Sequence, residues 1–277
     1  MSRFKRRSGI EIKTPEELVG MRRAGLVVAD ALATTATAVK AGITTAELDA
    51  VAAQVICSSG ATPSFLGYLG YPATTCISVN NEIVHGIPGP RVLADGDTIS
   101  IDCGAIVEGW HGDSAVTVQV GTGSAEATAL SEATRLAMWH GIGAARLGGR
   151  IGDISSAIED YVDSLATAYG IVADYTGHGI GSAMHQPPDV PNVGRAGKGP
   201  KIVLGMALAI EPMLTAGEPD NSVLGDDWTV VTDDGSIACH WEHTMTVTEQ
   251  GIWVLTSPDG GEAMLARLGV PFGPLAD

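Results

Sequence analysis

Four segments of the chain have the apolar spacing and polar ends typical of helices. Thr14-Pro15-Glu16-Glu17 is a capping box with proline at the first helical position, and it predicts a helix that runs toward Lys40. A second capping box, Thr44 to Glu47, predicts a helix that stops near Gly60. In the second half of the chain we predict two more helices, over residues 126–146 and 153–170.

Alternating apolar residues predict strands elsewhere. The segment "ISIDCGAIVEGWHGDSAVTVQV" predicts a hairpin that turns at Glu108-Gly109, so that residue 104 pairs with 113 and residue 102 with 115. Successive side chains of a strand point to opposite faces, so Asp102 and Asp113 should share one face as diagonal neighbours. A second hairpin is predicted to turn at Asp233-Asp234-Gly235, with Glu242 in its second strand.

The two halves of the chain resemble each other. "GDTISID", ending at Asp102, matches "GMALAIE", ending at Glu211. Gly60 lies 42 residues before Asp102, and Gly170 lies 41 residues before Glu211. Two helices followed by antiparallel strands, repeated once, predict one domain with internal pseudo-twofold symmetry over residues 14–277, although chance likeness is the alternative. Residues 1–13 are predicted to form a basic, flexible N-terminal arm.

Composition and charge narrow the classes of function. Of the 277 residues, 45% are hydrophobic, which predicts a globular chain, and the net charge of −16 argues against DNA binding. The basic start "MSRFKRR" predicts a solvated terminus, with contact to RNA or a ribosome as the alternative. We find no signal peptide and no apolar run that could span a membrane. The four cysteines have no paired spacing, which indicates reduced thiols in the cytoplasm.

Four carboxylates end or interrupt the apolar strands: Asp102, Asp113, Glu211 and Glu242. Taken singly, each could be a surface charge or a salt-bridge partner. Inward-pointing carboxylates repel each other unless protons or cations intervene. Four carboxylates and one imidazole suit Mn, Fe, Co or Zn, and four negative charges balance two dications. The pattern therefore predicts two metal ions and a hydrolytic reaction.

The imidazole comes from "YTGHGIGSAMHQPP", which contains His178 and His185 and surrounds the first with glycines. By itself this stretch predicts either a ligand loop or a buried turn with one satisfied histidine. Other chemistries lack their motifs, since the chain has no GxSxG nucleophile elbow and no HExxH helix.

Several motifs, in order along the chain, together resemble a known family: "FLGYLGYPATTCISVNNEIVHGIPG", "ISIDCGAIVEGWHGDSA", "TGHGIGSAMH", "LAIEPM", "DDWTVVTDDGS" and "WEHTMTV". From about Thr14 to Thr256 the chain resembles the bacterial type I methionine aminopeptidases, which are pita-bread metallopeptidases. The resemblance implies an α+β pita-bread fold with two pseudosymmetric halves around a dinuclear metal site. It also implies removal of the N-terminal methionine from nascent proteins with a small second residue, by attack of a metal-activated water.

The resemblance also implies a role for each site residue. The ligands of the two divalent ions would be Asp102, Asp113, His178, Glu211 and Glu242, with Asp113 and Glu242 bridging. Glu211 would also take a proton from the water, His185 would steady the scissile carbonyl, and His85 would assist the leaving amine. The methionine pocket would consist of Tyr68, Tyr71, Cys76 and Trp228, although the two tyrosines could equally be core aromatics under a loop.

This sequence departs from the family pattern at four positions. Many relatives have histidine in place of Leu69, phenylalanine in place of Met184, and cysteine in place of Phe65 and Val84. None of these is a ligand, so the departures concern pocket width and substrate range. Two rival functions remain: a proline-directed peptidase of the same fold, such as aminopeptidase P or prolidase, and a non-catalytic binding module. We expect a monomer, with nascent chains at the ribosome as its partners.

Overall fold

Two pairs of helices pack against antiparallel strands in the computed structural model, which describes residues 9–275. Both predicted capping boxes form. The Glu17 N–H donates to Thr14 Oγ1 at 3.3 Å while the Thr14 N–H donates to Glu17 Oε2 at 2.8 Å, and Thr44 and Glu47 repeat this exchange at 3.2 and 2.8 Å. The helices are α1 (Pro15–Ala38), α2 (Thr45–Ser58), α3 (Ala125–Ala144), α4 (Ile151–Asp163) and α5 (Glu262–Leu268).

The first three helices lie close to their predicted bounds, but the prediction for the fourth is wrong at its C-terminal end. α4 starts at Ile151, where the Arg150 N–H donates to the Asp153 carboxylate at 2.9 Å. It stops at Asp163, seven residues before the predicted end at Gly170. Gly170 and Ile171 instead pair with a strand, so the residues before them form the connection between helix and sheet.

The strands are short except for one long pair. They are β1 (Thr62–Pro63), β2 (Thr75–Val79), β3 (Glu82–Val84), β4 (Thr98–Val107), β5 (Trp110–Gln119), β6 (Gly170–Ile171), β7 (Gly177–Gly179), β8 (Gln186–Val190), β9 (Ala207–Ile210), β10 (Met213–Thr215), β11 (Asn221–Val223), β12 (Val230–Thr232), β13 (Ala238–His240), β14 (Glu242–Val247) and β15 (Ile252–Val254).

One antiparallel sheet connects both halves of the described chain. Its strands lie in the order β1-β4-β5-β14-β9-β7-β8, with β2 added on β4 and β15 added on β14. Two small sheets, β13-β10-β6 and β11-β12-β3, lie beside it. The halves meet where β14 pairs with β5, through Glu242 opposite Ala115 and His243 opposite Ser114.

The predicted register of the first hairpin is confirmed. Gly104 lies opposite Asp113, and Asp102 lies opposite Ala115. The turn residues Glu108 and Gly109 both have positive φ, at 50° and 86°. This is the conformation of a two-residue type I′ turn, whose twist matches that of the strands and fixes their pairing.

The second predicted hairpin is wrong. The chain does turn at Asp233-Asp234, but the strands on either side of the turn join different sheets. β12 pairs with β11 and β3, whereas β13 pairs with β10. The Asp234 carboxylate accepts hydrogen bonds from the Glu218 and Ser236 N–H groups at 2.9 and 2.8 Å, and so stabilises a connection between sheets. Glu242 therefore begins β14 in the main sheet.

Each half has its own apolar core, as the predicted repeat requires. One buried cluster lies beneath α1 and α2 and includes Val28, Leu48 and Ile99, whereas the other lies beneath α3 and α4 and includes Met138 and Ile154. The glycines that begin the two matching motifs, Gly96 and Gly205, both have positive φ, at 91° and 82°. The chain therefore has the same backbone conformation just before the corresponding strands β4 and β9.

The structure describes only part of the predicted N-terminal arm. Residues 1–8 lie outside the described residues, whereas residues 10–13 contact the rest of the molecule. Ile10 packs against the second core cluster, and the Lys13 N–H donates to the Gly205 carbonyl at 2.8 Å. Between residues 9 and 275, none of the helices has the length and apolar character needed to cross a membrane.

Candidate active site

A cavity of about 300 Å³ lies where the two halves meet. Its wall includes Asp102 of β4, Asp113 of β5, Glu242 at the start of β14 and Glu211 directly after β9, so the sheet that joins the halves also shapes the cavity. All eleven residues predicted for the site line it: Tyr68, Tyr71, Cys76, His85, Asp102, Asp113, His178, His185, Glu211, Trp228 and Glu242.

The cavity concentrates negative charge away from water. Asp113 and Glu242 are only 3% and 2% exposed. Burial, together with the charges of neighbouring carboxylates, raises the pKa of Asp113, Glu211 and Glu242 well above the usual range. Burial also raises the pKa of Asp102 to about 7. Without cations, these groups must keep protons that carboxyl groups in water would lose at neutral pH.

His178 presents a lone pair to these carboxylates. Its Nδ1 lies 3.0 Å from the Gly179 carbonyl, which can only accept, so Nδ1 carries the proton and Nε2 is free of one. Nε2 lies 3.4 Å from Glu211 Oε1 and 4.0 Å from Asp113 Oδ2. Burial lowers the pKa of His178 to about 3, so the ring is neutral.

The donor set suits a divalent cation. Ligand atoms of Asp113, His178 and Glu242 all lie within 4.8 Å of one another. Asp102 is hydrogen-bonded to Asp113 through the side chains. Several buried oxygens find no hydrogen-bond partner within the described part of the chain, namely Asp102 Oδ1, Asp113 Oδ1 and Glu242 Oε1. Unpaired buried carboxylate oxygens beside a neutral imidazole fit a hard or borderline cation, which would satisfy both the charges and the lone pairs.

Two further histidines line the cavity beside these carboxylates. His185 Nδ1 lies 2.9 Å from the Tyr68 hydroxyl, and its ring stands edge-on to His178 with ring centres 4.2 Å apart. His85 has a positive φ of 61°, and its ring lies edge-on to Tyr175 and Trp228 at 5.7 and 6.2 Å. Burial lowers the pKa of His85 to about 4, and partial burial lowers the pKa of His185. Both rings are therefore available as neutral donors or acceptors.

An apolar pocket adjoins the carboxylates. Its buried members are Phe65, Tyr71, Ala73, Cys76 and Met184, and Tyr68, Ile87 and Trp228 pack against them. The Tyr71 hydroxyl lies within hydrogen-bonding distance of the Thr75 and Gly86 carbonyls, at 3.0 and 3.1 Å, and its ring meets Trp228 edge-on at 5.0 Å. Burial raises the pKa of the Cys76 thiol, which stays neutral. This half of the cavity suits an uncharged side chain.

The sequence comparison decides the family. Residues 19–249 match the model of metallopeptidase family M24. The chain belongs to this family. Among its curated relatives, methionine aminopeptidase 1 of Mycobacterium tuberculosis is 49% identical and the methionine aminopeptidase of Clostridium acetobutylicum is 48% identical. The alignments cover 92% and 89% of this chain, and 98% of each relative.

Solved structures agree with the M24 assignment. The methionine aminopeptidase of Rickettsia prowazekii superposes with a TM-score of 0.87 at 38% identity, over 90% of this chain and all of that one. Prolidase from Pyrococcus furiosus superposes with a TM-score of 0.71 at 21% identity, and only 65% of its length is covered. The predicted pita-bread fold is confirmed, and so is the prediction of a divalent-metal peptidase.

A further histidine of this M24 site, His240, was not among the residues predicted from the sequence. His240 Nε2 lies 3.8 Å from Glu211 Oε2, is buried, and has no hydrogen-bond partner in the described chain. Burial lowers its pKa to about 3. Its position two residues before Glu242, in "ACHWEH", was the available signal. Further cavity residues that the motifs did not single out are Tyr175, Thr176 and Met213.

Proposed function

We propose that this M24 peptidase removes the first residue, methionine, from peptides and nascent proteins whose second residue is small. The observation that carries the proposal is the apolar pocket of Tyr71, Cys76 and Trp228, which shares one cavity with the cluster of Asp113, His178 and Glu242. The names of the M. tuberculosis and C. acetobutylicum relatives support the same activity.

Five residues of this chain would hold two divalent cations, drawn from Co, Mn, Fe and Zn: Asp102, Asp113, His178, Glu211 and Glu242. Asp113 and Glu242, the most deeply buried of the four acids, would serve both ions. When bound, such cations neutralise the clustered carboxylates, act as Lewis acids and make a water molecule acidic.

The protein's own groups would move protons and hold the substrate. Glu211 lies beside the imidazole of His178, with Oε1 3.4 Å from Nε2, and once bound cations have displaced its proton the carboxylate would accept a proton from the water. If the Tyr68 hydroxyl donates to His185 Nδ1, the proton of that ring stays on Nε2, where it can hydrogen-bond to the scissile carbonyl oxygen. His85, neutral and held against Trp228, would assist the departing amine.

Side-chain burial would set the preference for methionine. A shorter side chain leaves apolar surface of the pocket unfilled, at about 0.8 kcal/mol per CH₂ group, and a charged one is excluded by desolvation. His85 and His185 would crowd the leaving-group side and so favour a small second residue. Met184 lies in the pocket wall and Leu69 lies at the mouth, 81% exposed, so these two departures from the family pattern bear on substrate range.

The test compares three peptides on the purified protein after metal removal and reloading with Mn, Fe, Co or Zn in turn. We expect cleavage of Met-Ala-Ser with at least one metal, little cleavage of Met-Phe-Ser, and none of Ala-Pro peptides. Similar kcat/KM for Met-Ala-Ser and Met-Phe-Ser would refute the small-residue rule. Preference for Ala-Pro would instead favour a prolidase-like activity, and absence of bound metal would favour a binding module.

The proposed activity also implies where in the cell the enzyme would act. The enzyme would act as a cytoplasmic monomer on nascent chains. Its basic start, with Arg3, Lys5, Arg6 and Arg7, is expected to be a solvated terminus, with contact to RNA or a ribosome as the alternative. These four residues lie outside the described part of the chain. Co-sedimentation of the protein with ribosomes, lost when the four are replaced by serine, would favour ribosome contact, whereas no co-sedimentation would favour a solvated terminus.

A further inference from the structure

Glu11 precedes the first helix in the sequence, yet its carboxylate contacts a loop of the other half of the molecule. The Ser182 N–H donates to Glu11 Oε2 at 3.0 Å, and the Ser182 hydroxyl donates to Oε1 at 2.6 Å. The Gln186 side-chain amide donates to Oε2 at 2.9 Å. Both carboxylate oxygens are therefore used, and all three donors come from one short segment.

That segment, residues 180–186, joins β7 to β8 and contains two residues of the cavity. Met184 is buried in the wall of the apolar pocket, and His185 faces the metal-site histidine His178. Ser182 and Ala183 are exposed, so apolar burial does not hold this part of the loop. The Glu11 carboxylate bonds the residue three before His185 and the residue immediately after it. It thus fixes the loop on both sides of the histidine.

Glu11 is itself firmly placed. Lys13 Nζ lies 3.6 Å from Glu11 Oε2, and the Lys13 side chain is only 2% exposed. The Lys13 N–H donates to the Gly205 carbonyl, which anchors the segment at the approach to β9. A Cβ atom added at Gly181 would overlap Glu11 Oε2 and Lys13 Cε. The loop can approach the two side chains this closely because residue 181 is glycine.

The charge of Glu11 suits this role. Burial raises its pKa, but the hydrogen bonds from Ser182 and Gln186 and the nearby Lys13 outweigh that effect and hold the pKa below the usual range. The group is therefore an ionised acceptor at neutral pH. Hydrogen bonds to an ionised acceptor are stronger than those between neutral groups.

We propose that Glu11 is a positioning residue for His185, holding the loop so that the imidazole meets the substrate. This inference rests on the proposed function for the role of His185, but not for the contacts themselves. Glu11 touches no reacting atom, and its effect is transmitted through the loop.

Kinetics on Met-Ala-Ser test the proposal. Glu11→Ala should lower kcat/KM on the order of 10–100-fold, the scale expected when a catalytic group is displaced by a fraction of an ångström to one ångström. Glu11→Gln should stay within about threefold of wild type, because the amide oxygen can accept from the Ser182 N–H and Gln186 while its NH₂ donates to the Ser182 hydroxyl. Asp30→Ala, an exposed acid of α1, is the matched control and should change nothing.

A double-mutant cycle separates positioning from general damage. If Glu11 acts through His185, Glu11→Ala should have almost no further effect on kcat/KM in a His185→Ala background. An equal loss in both backgrounds would overturn the proposal. Gln186→Ala, which removes one of the three donors, offers a second route should Glu11→Ala fail to fold.

Hydrogen exchange gives a readout that does not need activity. The amides of residues 181–186 should exchange faster in Glu11→Ala than in wild type, while exchange in α3 stays unchanged. Unaltered exchange together with wild-type kcat/KM would overturn the proposal. A wild-type protein that fails to cleave Met-Ala-Ser would instead refute the proposed function, and the exchange result would still decide whether Glu11 holds the loop.

Discussion

The histidines of the cavity differ in what their nitrogens face. His178 turns Nε2 toward Glu211 and Asp113, whereas His185 bonds to the Tyr68 hydroxyl and His85 packs against aromatic rings. The first has the surroundings of a metal ligand, and the other two have the surroundings of groups that meet a substrate. Metal retention and turnover should therefore respond to different substitutions.

We predict that His85→Ala and His185→Ala keep the metal content of wild type and lose kcat/KM for Met-Ala-Ser by about 10²–10⁴, the usual scale for positioned proton donors and oxyanion partners. His178→Ala serves as the comparison and should lose metal as well as activity. Metal analysis and steady-state kinetics on the same preparations check this. Near wild-type turnover in either of the first two variants would make that histidine a structural residue.

For single residues, the sequence predicts which charged side chains lie together better than it predicts the chemical role of each one. Asp102 and Asp113 could be placed on one face because strand alternation and the Glu108-Gly109 turn leave a single register. His240 was overlooked although it stands two residues before Glu242, and both side chains line the cavity even though Trp241 separates β13 from β14. The distinction between His178 and His185 depends on which group each ring meets. His178 meets the carbonyl of the next residue, Gly179, but the sequence does not show that its ring turns back onto its own strand, and the partner of His185 is the Tyr68 hydroxyl, far away in the sequence.

Among the elements, α1 lies unusually close to the sheet. A Cβ atom added at Gly25 would overlap the Leu255 carbonyl oxygen, and one added at Gly112 of β5 would approach the Gly25 N at 2.7 Å. The Arg22 guanidinium, one turn earlier, donates to the Leu255 and Pro258 carbonyls at 2.9 Å each. The helix is thus fastened to the segment after β15, and its backbone rests on β5, the strand that carries Asp113.

Gly25→Ala should therefore destabilise the protein by about 1–3 kcal/mol, since overpacking against backbone outweighs the gain from alanine in a helix. Gly143→Ala is the matched control in α3, because its added Cβ would meet only Leu268 and Val270 side chains at 3.4 and 3.5 Å. That variant should be unchanged or more stable by up to about 1 kcal/mol. Urea unfolding at a fixed metal concentration measures both, and equal midpoints for the two variants would contradict the packing argument.

Elements with their own local signals were predictable, and elements defined by remote partners were not. Capping boxes mark the starts of α1 and α2, and a type I′ turn fixes the β4–β5 hairpin. The turn at Asp233-Asp234 has an equally clear local signal, yet β12 and β13 leave it for different sheets. α4 ends early because β6 pairs with β10, a partner more than 40 residues further along the chain.

For the molecule as a whole, folding brings together and buries four carboxylates from both halves, and their repulsion and desolvation destabilise the folded state. Each has a pKa raised in the folded state, so the folded protein binds more protons than the unfolded chain above the ordinary carboxyl range. The free energy of unfolding of the metal-free protein must then fall as the pH rises from the unfolded-state pKa of each carboxyl group to its folded-state pKa. For Asp102 this range extends from 3.8 to about 7. A bound cation removes the penalty by replacing the protons.

We therefore predict that a chelator lowers the melting temperature more at pH 8 than at pH 6. Comparing metal-loaded with chelated protein at each pH cancels titrations elsewhere in the chain. Asp102→Asn, which removes one of the charges, should show a smaller difference between the two pH values. If the chelator lowers the melting temperature equally at both pH values, or more at pH 6, the folded protein does not raise the pKa of these carboxyl groups.

The junction between β5 and β14 has a kinetic consequence. The two strands pair through Glu242 opposite Ala115 and His243 opposite Ser114, and the acids they carry, Asp113 and Glu242, are far apart in the sequence. Contacts between residues so far apart in the sequence form late in folding, because closing the long intervening chain has a large entropic cost. A refolding chain should thus form its helices and local hairpins before it can capture an ion, and ion capture should mark the completion of its folding.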